Sequence, residues 1–395
     1  MLRSMLDPRV YLSDDILRLE QARIFRDMWI FAGLRSTLSS RNAFFTRTIG
    51  GVPIVVTTPD GETVKAFENL CAHRQMPIQH AAFGKRGLVC PYHAWSYLTE
   101  DGCLKGVALA HLYELRAGER DQFRLRQFAV EVVGNLVFVN LGAEPKPIAT
   151  QFTAEMLDVM RLASEHFDST YAYSKFQVGY NWKLNFENVL DYNHVPFIHA
   201  NSFAAMLPRS EADPSRELFP QDVDWDRQEA ARNHVGVQEL SFATVADADI
   251  APPWFRPLVR RFGERDAYYN WFIYPNINFA SVGGDFFLIQ QYMPIAPGRT
   301  EYHLWMAPAG RLSKRTDLTP VLRALMDAEK TVIDEDCVLL EAMQSAFHEN
   351  QSPMMHGAYE HRLFRLGKWY RENVLEAGDH KTLGAQLESL TCCWM

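Results

Sequence analysis

Residues Asn181–His199 read NWKLNFENVLDYNHVPFIH, and Asp191, His194 and His199 fall within nine positions of this stretch. Asp191 and His194 are three residues apart, so on a helix they project from one face. Pro196 lacks a backbone N–H and clashes with the preceding turn, which predicts a break or kink there. The break lets His199 swing round to meet His194 at one metal ion. Two neutral imidazoles plus one carboxylate, with coordination positions left open, form the facial ligand set suited to non-haem Fe(II).

The chain around this stretch has 395 residues, enough for two domains, and is 47% hydrophobic with a net charge of −8. No apolar run approaches the roughly 18–20 residues needed to span a bilayer. The first residues, MLRSMLDPRVYLSDD, contain no apolar core of a signal peptide. The negative balance, without a basic block, argues against nucleic acid as a partner. Six cysteines in this length do not resemble a secreted disulfide framework, and Cys392–Cys393 reads as two incidental thiols. These features predict a cytoplasmic globular protein with no membrane segment.

Ser13-Asp14-Asp15 is a helix start, followed by an apolar face through Ile16, Leu19, Ile24, Phe25 and Trp29. From Phe44 the pattern turns to short strands punctuated by Gly50-Gly51 and Asp60-Gly61, continuing through FAVEVVGNLVFVNL to the linker-like Glu144–Pro147. Within this β region Cys71-Ala-His73 is followed, after sixteen residues, by Cys90-Pro-Tyr-His93. Each loop supplies one thiolate and one imidazole, which fits a Rieske [2Fe–2S] centre with Cys71 and Cys90 on one iron and His73 and His93 on the other. A Cys2His2 zinc site uses the same ligand set but usually presents its cysteines as one close pair and its histidines as another. Cys103 lies outside both loops and reads as structural.

FENLCAHRQMP and LVCPYHAWSYLTEDGCLKG resemble the Rieske loops of the oxygenase component of Rieske non-haem iron oxygenases, the ring-hydroxylating family. The family pattern is C-x-HRG and C-P-x-H-G-W-x-Y; here Gln75 and Ala94 replace its two glycines, while all four ligands remain. The stretch 181–199 is similar to the same family's NWK-x3-(E/D)N-x2-D-x2-H-x4-H signature. The resemblance implies that His194 and His199 bind a mononuclear Fe(II) and that Asn188 lies close to it. It also implies that Asp191 bridges to the cluster ligand His93 of a neighbouring subunit, and hence a homotrimer, with a β partner subunit left open. The family's late D-x4-E-x2-Q pattern matches Asp336, Glu341 and Gln344, which makes Asp336 the third iron ligand; Asp334 and Glu335 are the alternatives on chemistry alone.

The expected fold is α+β. Residues 1–40 form a helical segment packing on the catalytic domain, 41–147 the Rieske β domain, and 148–395 a catalytic domain of helix-grip type with an antiparallel sheet. Residues 200–265 are irregular and read as a lid or channel. Arg256, Arg260 and Arg261 there read mainly as a solvated or docking face, and alternatively as a grip for a substrate carboxylate. His356 and His361 repeat the H-x4-H spacing without its context and read as surface or packing residues. His80, His111, His234, His303 and His348 read as structural, and the last fifteen or so residues as a frayed tail.

The implied function is the terminal oxygenase component of a multicomponent system. O2 and electrons from NAD(P)H would serve it, delivered by a separate reductase with or without a ferredoxin, because the chain lacks a G-x-G-x-x-G fingerprint. The substrate expected is small and aromatic or otherwise largely apolar, as in aromatic hydrocarbon catabolism. Hydroxylation or oxidative demethylation is the leading outcome and cis-dihydroxylation of an aromatic ring the alternative. A Rieske electron carrier without oxygenase activity is the reading that would leave residues 181–199 and Asp336 unexplained.

Overall fold

The computed structural model describes residues 2–114, 118–191, 193–203, 235–247, 252–264, 266–350, 352, 354–357 and 360–376. Two compact units emerge, one of residues 21–165 and the other of residues 1–20 with 166–395. Both boundaries differ from those expected at 40/41 and 147/148. Residues 21–40 join the first unit because Ile30–Leu34 is itself a strand, paired with Leu136–Asn140. Residues 148–165 join it because Gln151 accepts from the Trp29 N–H at 2.8 Å and Ser164 Oγ from the Asn135 N–H at 2.9 Å.

The first unit is built on a seven-stranded sheet. Its strands are β1 (Ile30–Leu34), β2 (Ala43–Ile49), β3 (Val52–Thr57), β4 (Lys65–Glu68), β5 (Phe83–Lys85), β6 (Gln127–Val133) and β7 (Leu136–Asn140). Their spatial order is β1-β7-β6-β4-β3-β2-β5, antiparallel throughout. The Gly50-Gly51 turn joins β2 to β3, and both glycines take the positive φ that such a turn needs. Helix α2 (Ala154–Ser164) closes the unit, capped by the Thr153 hydroxyl on the Met156 N–H.

The second unit holds a six-stranded antiparallel sheet. It comprises β8 (Ala172–Val178), β9 (Phe242–Asp247), β10 (Ala267–Ile273), β11 (Ile277–Val282), β12 (Phe286–Ala296) and β13 (Arg299–Pro308), in the order β8-β13-β12-β11-β10-β9. The earlier helix α1 (Asp14–Glu20) belongs to this unit, as do α3 (Trp182–Leu190), α4 (Val195–Ile198), α5 (Thr319–Glu349) and α6 (His361–Tyr370). The 31 residues of α5 carry an apolar stripe through Val321, Leu322, Leu325, Ile333 and Leu340 that is buried.

The register of the sheet separates two kinds of side chain. Trp271, Phe279 and Ile289 share one ladder row and one face. On that face Trp271, Phe279 and Phe287 pack with Phe167 and Phe262 as ordinary core. The opposite face, on which Gln290 reaches α5, carries Asn270, Asn278 and Gln290. The same face also carries Phe272, Ala280 and Leu288, so it mixes amides with apolar side chains.

The start of α3 is locked to α5 by the late motif. The Asn181 N–H donates to Gln344 Oε1 at 3.0 Å, and the Gly179 N–H donates to Glu341 Oε1 at 3.0 Å. A buried charge centre holds α1 against α3: Lys183 Nζ lies 2.6 Å from Glu20 Oε1, and Trp182 Nε1 donates to Glu20 Oε2 at 2.9 Å. Among the described residues no helix is long and apolar enough to cross a membrane. Most of the expected lid, Tyr192, His234, Cys392–Cys393 and the tail from 377 lie outside the described residues.

Candidate metal centres

In the sheet-based unit, the two loops expected to hold a cluster have the same backbone plan. The Gln75 N–H donates to Cys71 O at 2.9 Å and the Ala94 N–H to Cys90 O at 3.0 Å. In return the Cys71 N–H donates to Met76 O at 2.9 Å and the Cys90 N–H to Trp95 O at 2.8 Å. Gln75 and Ala94, the two residues that replace glycines, both adopt positive φ, 57° and 53°. The loops therefore keep the glycine conformation with side chains that disfavour it, at a cost of about 1 kcal/mol each.

The thiols of Cys71 and Cys90 are buried at 1% and 2% exposure, whereas His73 and His93 are half-buried with rings 4.7 Å apart. The Tyr97 hydroxyl lies 3.1 Å from Cys71 Sγ and also accepts from the Ala72 N–H at 3.0 Å. Trp95 stacks on His73 at 4.9 Å. Desolvation raises the Cys71 pKa and lowers that of His73, with His93 and Arg74 adding to the latter. His73 Nδ1 is buried without a hydrogen-bond partner. A buried nitrogen left unpaired in a loop that also presents a buried thiol fits a metal ligand.

In the second unit, α3 ends one residue before Asp191, whose own N–H bonds back to Glu187 O and Asn188 O. The helix thus breaks earlier than expected. Pro196 occupies the first turn of α4, where its missing N–H costs nothing, and His194 sits at that helix's N-cap position. Asp191 Oδ1 accepts from the Asn193 N–H at 2.8 Å, and its Oδ2 lies 3.9 Å from His194 Nδ1, beyond hydrogen-bond reach. Burial raises the Asp191 pKa against that N–H contact and His194. Asn188 stands one turn earlier on α3.

His194, His199 and Asp336 each offer a ligand atom, all within 4.8 Å of one another. Asp336 Oδ1 lies 3.0 Å from His199 Nε2 and 3.8 Å from His194 Nε2. Asp336 Oδ1 and His194 Nδ1 are buried without hydrogen-bond partners. Two imidazoles and an unsatisfied carboxylate oxygen converging on one point fit a facial ferrous site. Of the alternatives, Asp334 pairs with Lys330 on the exposed side of α5. Glu335 turns to the other end of His199, its Oε2 2.7 Å from Nδ1 and 2.5 Å from the Ser202 hydroxyl. Burial opposes a charged His199, but Asp336 and Glu335 outweigh it and raise its pKa; for His194 burial prevails and lowers it.

From sequence Glu335 reads as a rival ligand to Asp336, whereas its place in the fold is this orienting contact. Its only sequence signal is adjacency to Asp336. Arg256 is taken up by Asp285 and Asp266, and Arg261 by Asp266, so neither is free to grip a substrate carboxylate. His303 is held between Tyr173 and Glu301 and His361 is buried, both away from the cluster.

Residues 159–376 match the ring hydroxylating alpha subunit (catalytic domain) family, and residues 28–116 match the Rieske [2Fe-2S] domain. The glycine betaine monooxygenase oxygenase subunit of Chromohalobacter salexigens is 29% identical over 232 residues, covering 56% of this chain and 49% of that protein. The anthranilate 1,2-dioxygenase large subunit of Acinetobacter baylyi is 26% identical over 275 residues, covering 65% and 58%. This chain spans about half the length of these curated relatives. In fold it is similar to the quaternary ammonium Rieske monooxygenase CntA, with a TM-score of 0.73 at 18% identity over 93% of this chain and 96% of that one. A Rieske [2Fe–2S] cluster and a mononuclear iron are the cofactors that these domains bind, and the donor sets above fit both.

Proposed function

The chain belongs to the ring-hydroxylating alpha-subunit family, and on that premise we propose that it is the terminal oxygenase component of a multicomponent Rieske system. Its reaction is the hydroxylation or oxidative demethylation of a small substrate. The observation that carries this reading is the convergence of His194, His199 and Asp336 on one point. A Rieske electron carrier has no use for such a point.

Cys71, Cys90, His73 and His93 would hold the cluster, and His194, His199 and Asp336 the mononuclear iron. When bound, the cluster supplies single electrons and the iron activates O2 for insertion into the substrate. Tyr97 hydrogen-bonds the Cys71 sulfur, and such contacts tune cluster potential. Glu335 holds the His199 ring so that Nε2 faces Asp336. Asp191, partly exposed beside His194, links that ligand to His93 of a neighbouring subunit in a homotrimer, since head-to-tail contacts that close make a ring. An NAD(P)H-dependent reductase, with or without a ferredoxin, supplies the electrons, and the assembly works in the cytoplasm. The relatives' names carry two substrate chemistries, a quaternary ammonium compound and an aromatic acid.

The test reduces the cluster, admits 18O2 and compares protein with and without mononuclear iron against a panel of N-methyl and aromatic compounds. An oxygenase forms 18O-labelled product or formaldehyde only with that iron present. Cluster reoxidation at one rate in both preparations, with no product, would identify an electron carrier instead.

A further inference from the structure

Glu329 lies on the same helix as Asp336, seven residues earlier. Seven residues are nearly two turns, so the two carboxylates share a face about 10 Å apart along the axis. Glu329 is half-buried, and its Oε1 accepts from Gln290 Nε2 at 2.7 Å. Gln290 Oε1 accepts in turn from the Tyr292 hydroxyl at 2.8 Å. Across the sheet Gln290 is in register with Asn278, whose Nδ2 donates to Asn270 Oδ1 at 2.6 Å. The wall facing this part of α5 therefore includes a row of amides, not hydrocarbon alone.

Among the described residues no lysine, arginine or histidine forms an ion pair with Glu329. A carboxylate so placed lacks the counter-charge that buried acids normally have. Burial, with Asp336 adding, pushes its pKa up to about 7 against the Gln290 contact and His199. A cation arriving there would restore its ionised form, whereas an anionic group beside Glu329 would meet a like charge.

Building on the oxygenase reading above, we propose that Glu329 anchors a positively charged group of the substrate, an ammonium or quaternary ammonium. The substrate class is thus a small cationic amine rather than an aromatic acid or hydrocarbon.

The experiment measures binding of tetramethylammonium, tert-butanol and benzoate to the iron-loaded protein by calorimetry, in wild type and Glu329→Gln. Wild type should bind tetramethylammonium at least about tenfold more tightly than tert-butanol, its neutral counterpart in shape, and more tightly than benzoate. Glu329→Gln should abolish that preference while keeping the cluster's visible spectrum. Equal binding of cation and alcohol by wild type, tighter benzoate binding, or a preference that survives in Glu329→Gln would overturn the assignment. The wild-type comparison needs no variant to fold. Iron content tests the oxygenase reading separately, so a protein with both iron sites filled and no charge preference overturns Glu329 alone.

Discussion

Glu335 and Asp336, neighbours on one helix, face the two nitrogens of the His199 imidazole: Glu335 Oε2 is 2.7 Å from Nδ1 and Asp336 Oδ1 is 3.0 Å from Nε2. Successive helical residues point about 100° apart, so adjacent carboxylates reach opposite ends of one ring. A carboxylate on Nδ1 keeps the proton there and leaves the Nε2 lone pair for a metal. Glu335→Ala should weaken Fe(II) binding at the mononuclear site roughly 10–100-fold. Glu335→Gln, which keeps an acceptor oxygen, should lose less. Titration of the metal-free mononuclear site with Fe(II) reads this directly, and unchanged affinity in Glu335→Ala would rule out the orienting role.

Asp191 Oδ2 stands 3.9 Å from the far nitrogen of His194, and the proposed bridge to a neighbouring subunit runs through it. Asp191→Ala should retain both metal sites yet lose turnover. Iron content and product formation measured on one preparation check this. Near-normal turnover in Asp191→Ala would remove the bridge.

Gln75 and Ala94 hold left-handed backbone at the tips of the cluster loops. Replacing either with glycine should stabilise the folded protein by up to about 0.5 kcal/mol, relief of the positive φ being partly offset by glycine's extra freedom when unfolded. The denaturation midpoint, followed by the cluster's visible absorbance, should rise for each variant. A fall would mean that the Gln75 or Ala94 side chain contributes more than its backbone costs.

Lys183 and Glu20 form a buried ion pair, with side chains 4% and 1% exposed. Removing one partner strands the other, so Lys183→Ala should destabilise the protein by about 3–5 kcal/mol. Chemical denaturation against wild type measures it. A loss under about 1 kcal/mol would show that Glu20 finds compensation from Trp182 and Tyr370, both of which already donate to it.

The ligands were legible in the sequence because metal chemistry restricts residue type and spacing: Cys71, His73, Cys90 and His93 sit in two short loops, and His194 and His199 in one stretch. The strands were legible from their turns, as at Gly50-Gly51. The phase of α5 was not. Which of Asp334, Glu335 and Asp336 turns inward depends on how a 31-residue helix rolls on the sheet, and only packing sets that roll. The break in residues 181–199 was placed at Pro196 because proline is the visible breaker, yet the backbone turns at Asp191, whose side chain captures the Asn193 N–H. Apolar spacing from Ile16 to Trp29 suggests a helical segment over residues 1–40, although Ile30–Leu34 is a strand whose partner lies a hundred residues away. Glu329 carried no local signal, since its environment is assembled from three strands and a helix.

The proposed oxygenase requires one chain to carry a two-iron cluster and a separate ferrous site built by His194, His199 and Asp336. Iron and acid-labile sulfide per chain, determined on anaerobically purified protein and on Asp336→Ala, test it most directly. Wild type should give about three irons and two sulfides, and Asp336→Ala about two and two with an unchanged cluster spectrum. Wild type that stays at about two irons after Fe(II) is added back, or Asp336→Ala that retains the third, would contradict it.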